Sequence, residues 1–115
     1  MSDLVYWHNP RCSKSREALA LLHENGYQPA IVTYLTLPPT KSELRRAISL
    51  LNLPVIAMMR IKEKRFAELG LHSGSTDDEL IKAMAANPIL IERPILFTAT
   101  KAAIGRPVEN VLKIL

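Results

Sequence analysis

Cys12 is the only cysteine of the chain, and it stands in the run His8-Asn9-Pro10-Arg11-Cys12-Ser13-Lys14-Ser15-Arg16. A thiol does chemistry as a thiolate, and a free one, with a pKa of roughly 8.5, is mostly protonated at neutral pH. Position and neighbours can change that. Asn9-Pro10 breaks the apolar run Leu4-Val5-Tyr6-Trp7, and a helix is expected from Ser13 to His23, so Cys12 falls at a helix mouth. Unpaired N–H groups and the positive end of the helix dipole favour negative charge there. Arg11, Lys14, Arg16 and, if protonated, His8 add positive charge. Such a loop makes a nucleophile and can also receive an anion. The competing reading, a small buried hydrophobe, fits most lone cysteines but not a polar, cation-rich loop.

The elements that must hold this loop follow from the patterning. Leu4 to Trp7 reads as a buried strand and Ser13 to His23 as a helix turning Ala18, Leu19 and Leu22 inward. Asn25-Gly26 is a left-handed stop, and Ala30 to Tyr34 is a second strand. A strand–helix–strand unit is normally parallel and right-handed, which puts Cys12 at the carboxyl end of the first strand, where open α/β sheets bind ligands.

Pro38-Pro39 ends the second strand, and Thr40-Lys41-Ser42-Glu43 is a capping box opening a helix with Leu44, Ala47, Ile48 and Leu51 inward. A short apolar helix from Val55 to Arg60 is expected next, then a helical turn at Phe66–Gly70. A second box, Thr76-Asp77-Asp78-Glu79, opens a helix through Ala85. Asn87-Pro88 stops it. Arg93 to Thr98 reads as a strand with Pro94 near its start, Ala102 to Ile104 as a fourth strand, and Gly105-Arg106-Pro107 as the opening of a last helix that turns Val108, Val111 and Leu112 inward. The expected class is α/β: a mixed four-stranded sheet built as βαβ and then ββα, with a helical insertion between the halves.

The bulk properties bound the function. At 115 residues, with no repeat or linker, a single domain over residues 1–115 is expected. Apolar residues at 48% and charged ones at 23% suit a soluble globule, and no apolar run reaches the roughly 18 residues of a membrane span. A cytoplasmic protein with no membrane partner is therefore expected. One cysteine forms no internal disulfide, and Cys12, His8, His23 and His72 are not at metal-ligand spacing, so no metal or bound cofactor is expected. The net charge of +4 favours anionic partners, but the cations are dispersed and aromatic residues are only 5%, so no nucleic acid is expected.

The element order, with a cysteine at the first strand–helix junction and an X-Pro opening the third strand, resembles the thioredoxin fold with inserted helices. His8-Asn9-Pro10-x-Cys12-x-x-Ser15-Arg16, then Arg60, then Ile91-Glu92-Arg93-Pro94-Ile95, then Gly105-Arg106-Pro107 resemble the ArsC family of glutathione- and glutaredoxin-coupled arsenate reductases, nearly end to end. The resemblance implies that the Cys12 thiolate attacks arsenate and that Arg60, Arg93 and Arg106 hold the oxyanion. It makes His8 and Ser15 supports of the thiolate, beside the charge of Arg16, and Pro94 a cis proline. Independently, a guanidinium's planar fork of donors suits a tetrahedral oxyanion, although each arginine taken singly could be a surface charge.

With no second cysteine, the second thiol must come from outside, which fits glutathione followed by glutaredoxin. A phosphatase-type loop would need arginine six residues after the cysteine, where Ala18 stands. Two further readings remain: a regulator like the Spx proteins, which bind RNA polymerase, and a general thiol-redox protein acting on glutathione mixed disulfides. Ser15 counts against the first, because the Cys-x-x-Cys switch of those regulators is absent.

Overall fold

The computed structural model describes residues 4–115. They form two compact units: a sheet unit, from the start of the described chain to Leu37 and again from Arg93 to Leu115, and a helical unit, Pro38–Glu92.

The sheet unit holds four three-residue strands, β1 (Val5–Trp7), β2 (Ala30–Val32), β3 (Ile95–Phe97) and β4 (Ala102–Ile104), in the order β2-β1-β3-β4. β1 pairs parallel with β2 and antiparallel with β3, and β3 pairs antiparallel with β4, so the sheet is mixed as expected. The second strand stops at Val32, two residues early, because Thr33 carbonyl accepts from the N–H groups of Thr36 and Leu37 and curls the chain into a turn.

Alternation across β1 separates two clusters. Tyr6 packs with Ala18 and Leu22 of helix α1 (Ser13–Glu24), Leu96 and Val111, all fully buried. Trp7 instead meets Phe97, ring centroids 4.8 Å apart, and Tyr34 at 6.5 Å. Truncating one such core side chain, Leu96→Ala for instance, typically costs about 2–5 kcal/mol. Helix α1 closes with a Schellman arrangement: Tyr27 N–H reaches Leu22 carbonyl, Gly26 N–H reaches His23 carbonyl, and Gly26 takes φ +85. The last segment, Val108–Ile114, is 3-10 rather than α-helical, and it opens after a second cis bond, Arg106–Pro107, with Pro107 as its cap.

The helical unit is organised by its caps. In α2 (Lys41–Leu51), Glu43 N–H donates to Thr40 Oγ1 at 3.1 Å, while Thr40 N–H donates to Glu43 Oε1 at 2.9 Å. Thr76 and Glu79 repeat the exchange in α4 (Asp77–Ala86). A short α3 (Lys64–Glu68) lies between them. α2 packs on α4, burying Leu44 and Ala47, and Leu80, Ile81 and Met84.

The expected helix Val55–Arg60 is corrected to a 3-10 turn, Val55–Met58. Met59 is extended (φ −110, ψ 150) and bridges Ile91, with Arg60 N–H on Leu90 carbonyl and Glu92 N–H on Met58 carbonyl, both 2.8 Å. That pairing draws residues 59 and 60 out of any helix. No helix among the described residues is long and apolar enough to cross a membrane.

Candidate active site

Cys12 is the N-cap residue of α1, in extended conformation (φ −92, ψ 123). Its N–H closes the preceding turn on Asn9 carbonyl at 3.0 Å, and its carbonyl accepts from Arg16 N–H at 3.0 Å, starting the helix. The residue is only 8% exposed, more covered than a polar loop suggests. Its cover is polar, however: Arg106 Nη2 lies 3.8 Å from the sulfur, and Arg93 hydrogen-bonds to it.

These contacts decide the protonation state. Burial by itself raises the thiol's pKa, but the N–H of Ser15, the Arg93 guanidinium and the N–H of Lys14 outweigh it, and the net shift is downward. No formal cap hydrogen bond reaches the sulfur. The two N–H groups therefore act as oriented dipoles at the helix start rather than as a closed cap.

Beneath the sulfur lies a network that fixes the first turn of α1. Ser15 is fully buried, with its Oγ 2.7 Å from His8 Nδ1 and accepting from Asn9 N–H at 3.0 Å. Tyr6 hydroxyl donates to Ser15 carbonyl at 2.5 Å. Ser15 is thus held by both side chain and main chain, and its N–H is the foremost group stabilising the thiolate. Burial, aided by the charge of Arg16, lowers the pKa of His8. Histidine is therefore neutral here at neutral pH and is not one of the cations; its part runs through Ser15. Arg16 points elsewhere, donating from Nη1 to Pro10 carbonyl at 2.8 Å and so bracing the turn.

Sequence reasoning passed over Tyr6 and Asn9. Tyr6 reads as one more apolar strand residue, and only its fully buried hydroxyl, whose burial raises its pKa, shows that it needs a partner. Asn9 is the hub of the turn: its Oδ1 takes Arg11 N–H, its carbonyl takes Cys12 N–H, and its own N–H goes to Ser15. An Asn-Pro pair before the cysteine was the available signal.

Arg93 and Arg106 arrive from the far end of the chain. The Arg93–Pro94 bond is cis. Arg106 Nε donates to Arg93 carbonyl, and Gly105 N–H donates to Pro94 carbonyl, both at 2.8 Å. Only glycine fits at 105, since a Cβ there would lie 2.6 Å from Pro94 Cγ. The antiparallel β3–β4 pair therefore delivers two guanidiniums to one sulfur, that of Arg106 across a sequence separation of 94 residues.

Arg60 belongs to the helical unit. Its Nη1 lies 2.5 Å from Glu63 Oε2 and its Nε 3.8 Å from Glu92 Oε1, so its charge is shared with two carboxylates. Among the described residues, no three His, Cys, Asp or Glu side chains are grouped to hold a metal ion. Cys12 with Arg93 and Arg106 can hold a tetrahedral oxyanion against a nucleophilic sulfur.

A sequence profile of the ArsC family matches residues 7–114. An arsenate reductase of Neisseria meningitidis is 46% identical over 117 aligned positions, covering all of both chains. An arsenate reductase of Escherichia coli is 41% identical over 116 positions, covering this whole chain and 82% of that one. The solved structure of an arsenate reductase from Vibrio cholerae superposes with a TM-score of 0.96 at 49% identity, covering 99% of this chain and 98% of the other.

Proposed function

Because the chain belongs to the ArsC family, we propose that it reduces arsenate to arsenite through Cys12, with glutathione and glutaredoxin supplying the electrons. The Cys12 thiolate attacks arsenic, forms an S–As bond and displaces one oxygen, which leaves as water. Arg93 and Arg106, already beside the sulfur, hold the remaining oxygens and the charge that builds on them. The thiol of glutathione then displaces a second oxygen, which also leaves as water, and forms a second S–As bond. A further external thiol attacks the glutathione sulfur: an S–S bond forms, the S–As bond breaks and its electron pair stays on arsenic, which is thereby reduced to As(III). Water then cleaves the remaining S–As bond to release arsenite and restore Cys12. The chain's single cysteine is why both donors are external. Such donors are abundant in the cytoplasm, where we place the reaction.

In this reading His8, Ser15 and Arg16 act at one remove: His8 and Ser15 hold the helix turn that faces the sulfur, and Arg16 holds the Pro10 turn. Pro94 seats the carbonyl that anchors Gly105. The resemblance gives Arg60 an oxyanion role too, and its guanidinium is shared with Glu63 and Glu92.

The observation that carries the proposal is the Cys12 sulfur at the start of α1 with Arg93 hydrogen-bonded to it and Arg106 Nη2 3.8 Å away. An assay of arsenate reduction with glutathione and glutaredoxin tests it. Wild type should turn over and Cys12→Ser should fall to background. Thiol-dependent reduction that survives Cys12→Ser would end the proposal.

A further inference from the structure

A cleft of about 410 Å³ lies between the turn His8–Arg11, which leads into Cys12, and the residues Thr33, Leu35 and Thr36. Both walls are fixed. His8 N–H is tied to Val32 carbonyl at 2.9 Å, the Thr33 turn is closed by main-chain bonds from Thr36 and Leu37, and Arg16 clamps Pro10. Thr33 and Thr36 hydroxyls lie 3.0 Å apart, and Leu35 is 38% exposed. The volume falls in the range of small-molecule sites.

Only the main chain of Arg11 is engaged; among the described residues its exposed guanidinium meets no carboxylate and no carbonyl. Arg11 also immediately precedes Cys12. The cleft thus offers a preformed, partly apolar floor, two hydroxyls and one uncommitted cation, on the residue that precedes the reactive cysteine.

We propose that this cleft seats the external thiol: a carboxylate-bearing peptide thiol of glutathione type, with a carboxylate on Arg11 and its backbone against Thr33 and Thr36. The inference rests on the reading that Cys12 needs a thiol from outside. Charge and size both favour this occupant. A thiol without a carboxylate leaves Arg11 unused, and an inorganic anion leaves most of the cleft empty.

The test uses the whole isotope-labelled chain and S-methylglutathione, whose blocked sulfur can bind but not react. Amide resonances of Thr33, Leu35 and Thr36 should shift on titration, and Arg11→Glu should weaken the response about tenfold or more. In turnover, Arg11→Glu should raise the KM for glutathione about tenfold and leave that for cysteamine, which has no carboxylate, near wild type. No shift at those amides, a shift that survives Arg11→Glu, or a shift seen only with glutaredoxin would each overturn the proposal. The two readings fail separately: binding without arsenate turnover removes the reductase reading, and turnover without binding in the cleft removes this one.

Discussion

In the sheet unit, Arg93 and Arg106 meet a sulfur, and Arg106 also donates to Arg93 carbonyl; in the helical unit, Arg60 meets two carboxylates. The residue type is the same and the electrostatic outcome opposite. Arg60 shares its charge with two carboxylates, whereas the Arg93 guanidinium, hydrogen-bonded to the thiol, favours its ionised form and pulls its pKa down. Every group that lowers the Cys12 pKa, the Ser15 and Lys14 N–H groups and the Arg93 side chain, lies in the sheet unit.

Arg93→Ala should break this contrast most sharply. Removing one preorganised partner of a developing anion typically costs about 100-fold or more in rate. Burial would then be less opposed, so the midpoint of Cys12 alkylation should move to higher pH, while Arg60→Ala should leave that midpoint in place. An equal displacement in both variants would erase the distinction between the units.

The same shift makes a stability prediction. A thiol whose folded pKa lies below its unfolded one adds stability that is fully present above the unfolded value and is lost as pH falls through the folded value. Wild type should therefore lose stability relative to Cys12→Ser on acidification across that window, as followed by urea unfolding.

Gly105→Ala comes next, at about 1–3 kcal/mol in denaturant unfolding, because the added methyl meets Pro94. As Arg106 follows directly, the alkylation midpoint should rise with it. The smallest effect is expected for Thr40→Ala. Loss of that cap should cost about 1 kcal/mol and leave the midpoint unmoved, which would show stability and thiol activation to be separable.

The two units also differed in how readily they could be read. Thr40-x-x-Glu43 and Thr76-x-x-Glu79 state their helix starts within four residues, and both boxes form as written. The 3-10 turn at Val55–Met58 was not legible, because the bridge from Met59 to Ile91 that ends it joins residues 32 positions apart. In the sheet unit the mixed four-stranded sheet and Cys12 at the helix mouth followed from patterning, and a cis Pro94 from family resemblance. Its finer assignments did not. Whether His8 carries charge depends on burial, whether Arg16 faces the sulfur depends on where Pro10 carbonyl points, and the Tyr6 hydroxyl is invisible in a run of apolar letters.

The hooks that join Arg106 to Arg93 carbonyl and Gly105 to Pro94 carbonyl couple the spacing of two guanidiniums to the backbone of one corner. A descendant that came to prefer a larger or smaller tetrahedral ion could keep both arginines and still change its taste by reshaping that corner. Divergence in ion preference should therefore also be written at positions 94 and 105, which set the corner rather than supply a guanidinium.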